Sequence, residues 1–123
     1  MSVQLLNANQ LDNVEALKNT SSLLELSLEG APAIRDCRVF SHLSDLKTLY
    51  IDQSENLETL DGLESLSRLE TLGIVDCTSL SDLSAVVQLP SLSNISHGNC
   101  PKINAEQSAI LMQRTSTLRL DDF

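Results

Sequence analysis

Residues 69–91 read LETLGIVDCTSLSDLSAVVQLPS, and apolar residues return at fixed places within this 23-residue phrase. With Leu69 as offset 0, they occupy offsets 3, 5, 8, 11, 14, 17 and 20. The alternation at the start, with its period of two, predicts a strand that buries one face. The later steps of three indicate a tight helical or 3₁₀ return. The phrase therefore predicts one coil, made of a short strand and a return.

The phrase recurs along the chain at a spacing of 23 residues. An opening of the form L-x-x-L-x-L begins at Leu23, Leu46, Leu69 and Leu92. The register extends back to Val3 and forward to Phe123. Every Asp, Glu, Lys and Arg except Glu106 stands at an offset that is predicted to face solvent. Because no coil can bury its inner face alone, the coils are expected to stack with their strands parallel.

These phrases resemble the leucine-rich repeat family, whose consensus L-x-x-L-x-L-x-x-N-x-L fits the four central turns except at its Asn. The return rhythm of residues 57–66 is similar to the short internalin-like class, whereas Cys at offset 8 is similar to plant-receptor repeats. In the family the Asn bonds backbone groups of adjacent coils, so a different bonding arrangement is expected here. The residues that replace it are Ala8, Ala31, Ser54, Cys77 and Cys100.

The resemblance implies an α/β fold of a particular kind. It is a right-handed leucine-rich-repeat solenoid, with a parallel β-sheet on the concave face and short helical or 3₁₀ returns on the convex face. A single domain is expected over residues 1–123, with turns starting near residues 1, 23, 46, 69 and 92 and a final strand at 116–121.

Charge and composition narrow the class of partner. The chain carries 17 Asp and Glu against 8 Lys and Arg, a net charge of −9. This sign argues against nucleic acid and acidic membranes, because both attract cationic proteins. The first residues lack the features of a secretory signal, and no segment has the roughly 18 apolar residues of a membrane span. With only 3 cysteines and no dense disulfide framework, a cytoplasmic location is expected, and signal-less secretion as an effector stays open.

Two cysteines and one histidine are the candidates for a disulfide or a metal site. Cys77 and Cys100 share offset 8 in adjacent coils, where buried thiols are the favoured interpretation and a disulfide is the alternative. His97, also predicted to point inward, makes a group that is one ligand short of a zinc site. No nucleophile is expected to share a face with a histidine base, and no phosphate-binding glycine loop occurs. We therefore expect no enzyme, no cofactor and no metal site.

The outward strand residues form the predicted concave face. This face has 7 acidic and 2 basic residues, so it should attract a protein partner with a basic patch. Tyr50, the only tyrosine, is predicted at its centre as an anchor. The expected function is protein–protein interaction. The candidate partner-binding residues are Glu25, Glu29, Lys47, Tyr50, Asp52, Glu70, Asp76, Asn94 and Arg119.

The regular pattern breaks in the last full turn. Asn104 as N-cap and Gln107 at the third helical position predict a true α-helix that turns Glu106 outward. Neither end shows an obvious cap, so end-to-end self-association is a rival interpretation. Two alternative functions also stay open. One is an immunity or inhibitor protein that masks a basic toxin or nuclease, and the other is a secreted effector or self-associating structural fragment.

Overall fold

Six parallel strands, with tight returns described within residues 34–92, make up the described structure. The computed structural model describes residues 2–5, 23–30, 34–104, 106 and 119–120, with side chains for all of these except 2–5, 97 and 119–120. The strands form one sheet in chain order, and every neighbouring pair is parallel. Their bounds are β1 Ser2–Leu5, β2 Glu25–Glu29, β3 Thr48–Asp52, β4 Thr71–Val75, β5 Asn94–Gly98 and β6 Arg119–Leu120.

The strands pair in a register of 23 residues, so that Glu25 lies beside Thr48 and Thr48 beside Thr71. Side chains alternate between the two faces of a strand, and this register therefore keeps each row of equivalent residues on one face. The spacing predicted from the sequence is confirmed across the described strands. The row through the middle of the sheet is Val3, Leu26, Leu49, Leu72, Ile95 and Leu120.

The core is aliphatic and follows the predicted offsets. In the coils that begin at Leu46 and Leu69, the residues at offsets 0, 3, 5, 8, 11, 14, 17 and 20 are all buried. Phe40 is the largest fully buried side chain among the described residues. Burying one leucine side chain stabilises a fold by roughly 1.5–3 kcal/mol. These continuous rows of aliphatic side chains are therefore the main source of stability.

Like the strands, the returns are joined to one another by backbone hydrogen bonds. Short 3₁₀ turns occupy Arg38–Phe40, Leu63–Ser65 and Ser84–Gln88. The N–H of Glu58 donates to the carbonyl of Arg35 at 2.9 Å, and the N–H of Ser81 donates to the carbonyl of Glu58 at 3.0 Å. Adjacent coils are thus joined by backbone hydrogen bonds on the return side too.

Gly62 lies where two returns approach each other closely. Its φ is +109°, and a Cβ there would stand 2.4 Å from the backbone nitrogen of Arg38 and 2.5 Å from the carbonyl carbon of Cys37. The N–H of Cys37 donates to the carbonyl of Asp61 at 2.8 Å, which holds the two returns together. Both the positive φ and the close approach favour glycine.

Each of the strands β2 to β5 is followed directly by a residue of left-handed conformation. These residues share offset 7, and their φ values are 67° for Gly30, 58° for Gln53, 56° for Asp76 and 54° for Asn99. The N–H groups of the first three donate to the last carbonyl of the next strand at 2.9–3.0 Å. The left-handed turn therefore bends the chain away from the sheet and adds one more bond between coils.

The coarse expectation of a parallel sheet with short 3₁₀ turns is confirmed. The strand β6 lies within the strand predicted at 116–121. In the helix predicted after Asn104, Glu106 is helical and exposed as expected, and the other helix positions lie outside the described residues. Within the described ranges, no helix is long and apolar enough to cross a membrane.

Candidate functional site

The predicted site residues lie on one side of the sheet, which we call the solvent face. It comprises residues 24, 25, 27, 29 and 30 and the positions 23, 46 and 69 residues further along the chain. Glu25, Lys47, Tyr50, Glu70 and Asn94 are exposed there, and Glu29, Asp52 and Asp76 are partly buried. Arg119 lies in β6, and its side chain is outside the described part of the chain.

Tyr50 is the central feature of the solvent face. It stands in the middle of β3, directly beside Gly73 of β4. A Cβ on Gly73 would lie 2.5 Å from Cδ1 and 2.9 Å from Cε1 of the tyrosine ring. The ring therefore leans across β4 into the space that a side chain at residue 73 would fill. The tyrosine stays 46% exposed, so it offers a ring surface to a partner while the sheet supports it from below.

Gly73 itself departs from the expectation for an outward strand position. The sequence pattern predicts an exposed residue there, but Gly73 is buried beneath the ring of Tyr50. Glycine in a strand often marks a close approach of another group, and here that group is the aromatic ring. The sequence does carry a signal for this contact, because residues 50 and 73 share offset 4 in adjacent coils.

An acidic row lies at the carboxyl ends of the strands, close to Tyr50. Asp52 follows Tyr50 by two residues on the same face, and Glu29 is its direct neighbour across β2 and β3. Burial raises the pKa of the Asp52 carboxyl above its usual value, and the nearby charges of Asp76 and Glu29 raise it further. Negative charge is therefore concentrated at this end of the sheet.

Asp76 is the third member of this acidic row, and it is oriented by its neighbour. The side-chain amide of Asn99 donates to Asp76 Oδ1 at 2.6 Å, so the two left-handed residues of adjacent coils are tied together. One carboxylate oxygen of Asp52, Oδ1, is buried without a hydrogen-bond partner among the described residues. Of this row, Asp76 is therefore held by a hydrogen bond, whereas Asp52 keeps an unpaired carboxylate oxygen.

Positive charge is placed elsewhere in the described structure. Its ion pairs Arg35–Glu58, Arg38–Asp36 and Arg68–Asp45 lie in the returns, at distances of 3.5, 3.9 and 3.0 Å. Within the described residues, the acidic row makes no ion pair with Lys or Arg. Lys47 is on the solvent face, but it lies before β3, at the opposite end from Asp52.

Exposed apolar side chains accompany the acids. Leu24 and Val75 are each 39% exposed, and with Tyr50 they run diagonally over the solvent face, from the residue before β2 to the end of β4. Val87, at 45%, is exposed on the 3₁₀ turn of the return side instead. Apolar contact area surrounded by charge is typical of protein interfaces. Leu24 is not among the predicted site residues, although its offset predicts exposure.

The cysteines form part of the packing between coils. All three, Cys37, Cys77 and Cys100, are free thiols. Cys77 Sγ lies 3.5 Å from the carbonyl oxygen of Val75 and 4.0 Å from that of Ile51, and Cys100 repeats this arrangement one coil later. The thiols of Cys77 and Cys100 therefore contact the backbone of adjacent coils at the offset where the resembled family has Asn.

The environment of these thiols disfavours the charged thiolate form. Burial raises the pKa of Cys77 to about 12, and burial likewise raises the pKa of Cys100. Burial also raises the pKa of Cys37 well above its ordinary value. Because the thiolate is the reactive form, these shifts oppose nucleophilic and metal-binding roles. No group of three or more His, Cys, Asp or Glu placed to hold a metal ion occurs among the described residues, and the side chain of His97 is not one of these.

Comparison with known families and curated proteins gives no relative from which a function could be carried over. No protein-family description matches this chain, and no curated protein matches it.

Proposed function

We propose that the chain is a leucine-rich-repeat solenoid that binds a basic protein partner on its concave face, and that it works as a binding module rather than as an enzyme. The 23-residue register of the strands and the buried aliphatic rows support the solenoid. In this proposal the solvent face of the sheet is the concave face. Short 3₁₀ turns between the strands would then form the convex side.

The observation that carries the proposal is the exposed ring of Tyr50 beside an acidic row. Tyrosine is a common interface anchor, since it buries a large area at a small cost in side-chain entropy. The described side chains of the solvent face include five acids, Glu25, Glu29, Asp52, Glu70 and Asp76, and one base, Lys47. Such a surface attracts cationic proteins and raises their association rate at low salt.

A capture experiment with matched charge changes tests this function. Wild-type protein is immobilised beside two variants, Glu29→Lys/Asp52→Lys/Tyr50→Ala on the solvent face and Glu55→Lys/Glu58→Lys on the return side. Both variants change the net charge by the same amount. We expect the wild type and the return-side variant to retain the same basic proteins, which salt elutes, and the solvent-face variant to lose them without a lower Tm.

Equal retention by all three proteins would contradict a site on the solvent face. The same experiment bears on the narrower alternative, an inhibitor of a basic toxin or nuclease, which the acidity and small size of the chain favour. In that case one dominant toxic partner is retained, and co-expression of this chain rescues growth. End-to-end self-association stays a separate prediction, which light scattering over a range of concentrations tests.

A further inference from the structure

The ring of Tyr50 and the carboxylates beside it form a combined aromatic and acidic surface, which we call the cradle. The cradle comprises the ring of Tyr50, its support Gly73, and the carboxylates of Asp52 and Glu29. Tyr50 and Asp52 point to the same side of β3, where residues two apart are about 6.5 Å from each other. Glu29 lies beside Asp52 in the sheet register. An extended cation could therefore contact the ring and a carboxylate at the same time.

The ring is arranged in advance of binding. Because Gly73 has no side chain, the ring leans over β4 with Cδ1 and Cε1 occupying the place of a Cβ. The hydroxyl oxygen of Ser96 on β5 stands 3.3 Å from the same point, so it borders the space on the far side. A ring supported in this way loses little conformational freedom when a partner stacks on its outer surface.

Within the described part of the chain, the carboxylates of Asp52 and Glu29 have no cationic partner. The described Lys and Arg side chains form ion pairs only in the returns, and the unfavourable charge interactions of Asp52 come from Asp76 and Glu29. A cation brought by a partner would relieve this repulsion. Charge complementarity therefore specifies the sign of the group that the cradle accepts.

On these contacts, and resting on the binding function proposed above, we infer that the cradle receives an arginine side chain of the protein partner. The planar guanidinium stacks on the exposed surface of the Tyr50 ring and donates hydrogen bonds to the carboxylate of Asp52 or Glu29. Arginine suits this site better than lysine because the guanidinium is planar, weakly hydrated and has five donors in a fixed arrangement. A lysine ammonium can satisfy the carboxylates but gains less from stacking.

Two small probes test the choice of arginine. They are acetylated and amidated glycine pentapeptides, one with a central arginine and one with a central lysine, and each is titrated into isotopically labelled full-length protein. We expect saturable NMR shifts at Tyr50, Gly73 and Asp52, with about three-fold or greater preference for the arginine peptide. The arginine methylene protons should shift upfield because they lie over the ring. Since the chain has 1 tyrosine and no tryptophan, tyrosine fluorescence follows the same ring.

Variants of the cradle separate its parts. Tyr50→Phe keeps the ring and should bind the arginine peptide within about two-fold of the wild type, whereas Tyr50→Ala should lose the preference for arginine. Asp52→Asn should weaken binding of both peptides. Gly73→Ala removes no contacting group but displaces the ring of Tyr50. It should therefore weaken binding of the arginine peptide more than binding of the lysine peptide.

Three outcomes would overturn the inference. They are equal affinity for the two peptides, arginine preference that survives Tyr50→Ala, and saturable binding of neither peptide. If basic proteins are still captured through the solvent face while the peptides bind equally, the proposed function stands and the arginine cradle is wrong. If capture also fails to depend on the solvent face, both are wrong.

Discussion

At the end of each inner strand one residue holds a left-handed backbone, and Gln53 is the least suited of the four to it. The equivalent positions are taken by Gly30, Asp76 and Asn99, residue types that adopt positive φ more readily. The conformation is needed, because it lets the N–H of Gln53 bond the carbonyl of Val75 at 2.9 Å. A glutamine there therefore stores a small amount of strain.

Replacing Gln53 with asparagine should relieve part of this strain. We expect Gln53→Asn to stabilise the fold by about 0.5 kcal/mol, measured by urea unfolding. The matched control is Gln88→Asn, at an exposed position of the 3₁₀ turn Ser84–Gln88 where φ is not positive. An equal gain at both sites, or a loss at residue 53, would contradict the assigned strain.

The two buried glycines meet different obstacles and should respond differently to alanine. A Cβ at residue 62 would collide with backbone atoms of Arg38 and Cys37, whereas a Cβ at residue 73 would meet the side chain of Tyr50. We expect Gly62→Ala to lower the free energy of unfolding by more than about 2 kcal/mol, because the backbone cannot move aside and φ is positive. Gly73→Ala should cost less than about 1 kcal/mol, because the exposed ring can rotate away. Thermal and urea unfolding give both values, and similar losses at the two sites would contradict this distinction.

At the scale of elements, two aspartates differ in how they couple stability to pH. Asp82 Oδ1 accepts hydrogen bonds from the N–H and the hydroxyl of Ser84 at 2.9 and 2.7 Å, at the start of the 3₁₀ turn Ser84–Gln88. These bonds lower the pKa of Asp82. Burial and the charges of Asp76 and Glu29 raise the pKa of Asp52.

The signs of the two effects are opposite. A carboxyl with a lowered pKa stabilises the fold above its unfolded value, about pH 4, and this contribution is lost as the pH falls further. A carboxyl with a raised pKa favours the fold below about pH 4, and this contribution is lost as the pH rises through its folded pKa. Near neutral pH, therefore, Asp82 stabilises the structure and Asp52 destabilises it.

Urea unfolding at about pH 3 and about pH 7 distinguishes the two. We expect Asp82→Ala to lower the free energy of unfolding by about 1 kcal/mol near pH 7 and by clearly less near pH 3. Asp52→Asn should gain about 0.5 kcal/mol near pH 7, a modest figure because the group is partly solvated, and nothing near pH 3. A pH-independent difference for either variant would show that its carboxyl charge is not the cause.

Elements differ in how well the sequence predicts them. The strands follow from Leu26, Leu49 and Leu72, since a period of two and a spacing of 23 residues leave one consistent register. The contact between the ring of Tyr50 and Gly73 was not predicted, because a pattern of apolar and polar residues does not indicate which outward side chain packs on its neighbour. The raised pKa of Asp52 could not be predicted from the sequence pattern either, since it depends on residues from three coils. Periodicity determines rows, whereas contacts between side chains of one row depend on their rotamers.

At the scale of the whole molecule, each coil contacts its immediate neighbours. Strand contacts join β2 to β3, β3 to β4 and β4 to β5, and return bonds join the coils of β2 and β3 and the coils of β3 and β4. Stability in such an arrangement is close to a sum of coil terms and interface terms. One coil is therefore removable if the register on both sides is kept.

Deletion of residues 69–91 tests this one-dimensional arrangement. It removes β4 and one return and places Leu92 where Leu69 stood, so the remaining rows stay aligned. We expect a folded, less stable protein that unfolds cooperatively and keeps a strand-rich circular dichroism spectrum. Deletion of residues 71–82 removes fewer residues but leaves a return without its strand, so it should be less stable still. A shorter deletion that is better tolerated than the full coil would contradict stacking of 23-residue units.

Most directly, NMR contacts between backbone protons test the register on which the solvent face depends. Parallel pairing predicts cross-strand contacts between residues 23 apart, at Leu26 with Leu49, Leu49 with Leu72 and Leu72 with Ile95. The same spectra should show the ring protons of Tyr50 close to the α-protons of Gly73. Contacts at other spacings, or antiparallel contacts between these segments, would contradict the stack and the site built on it.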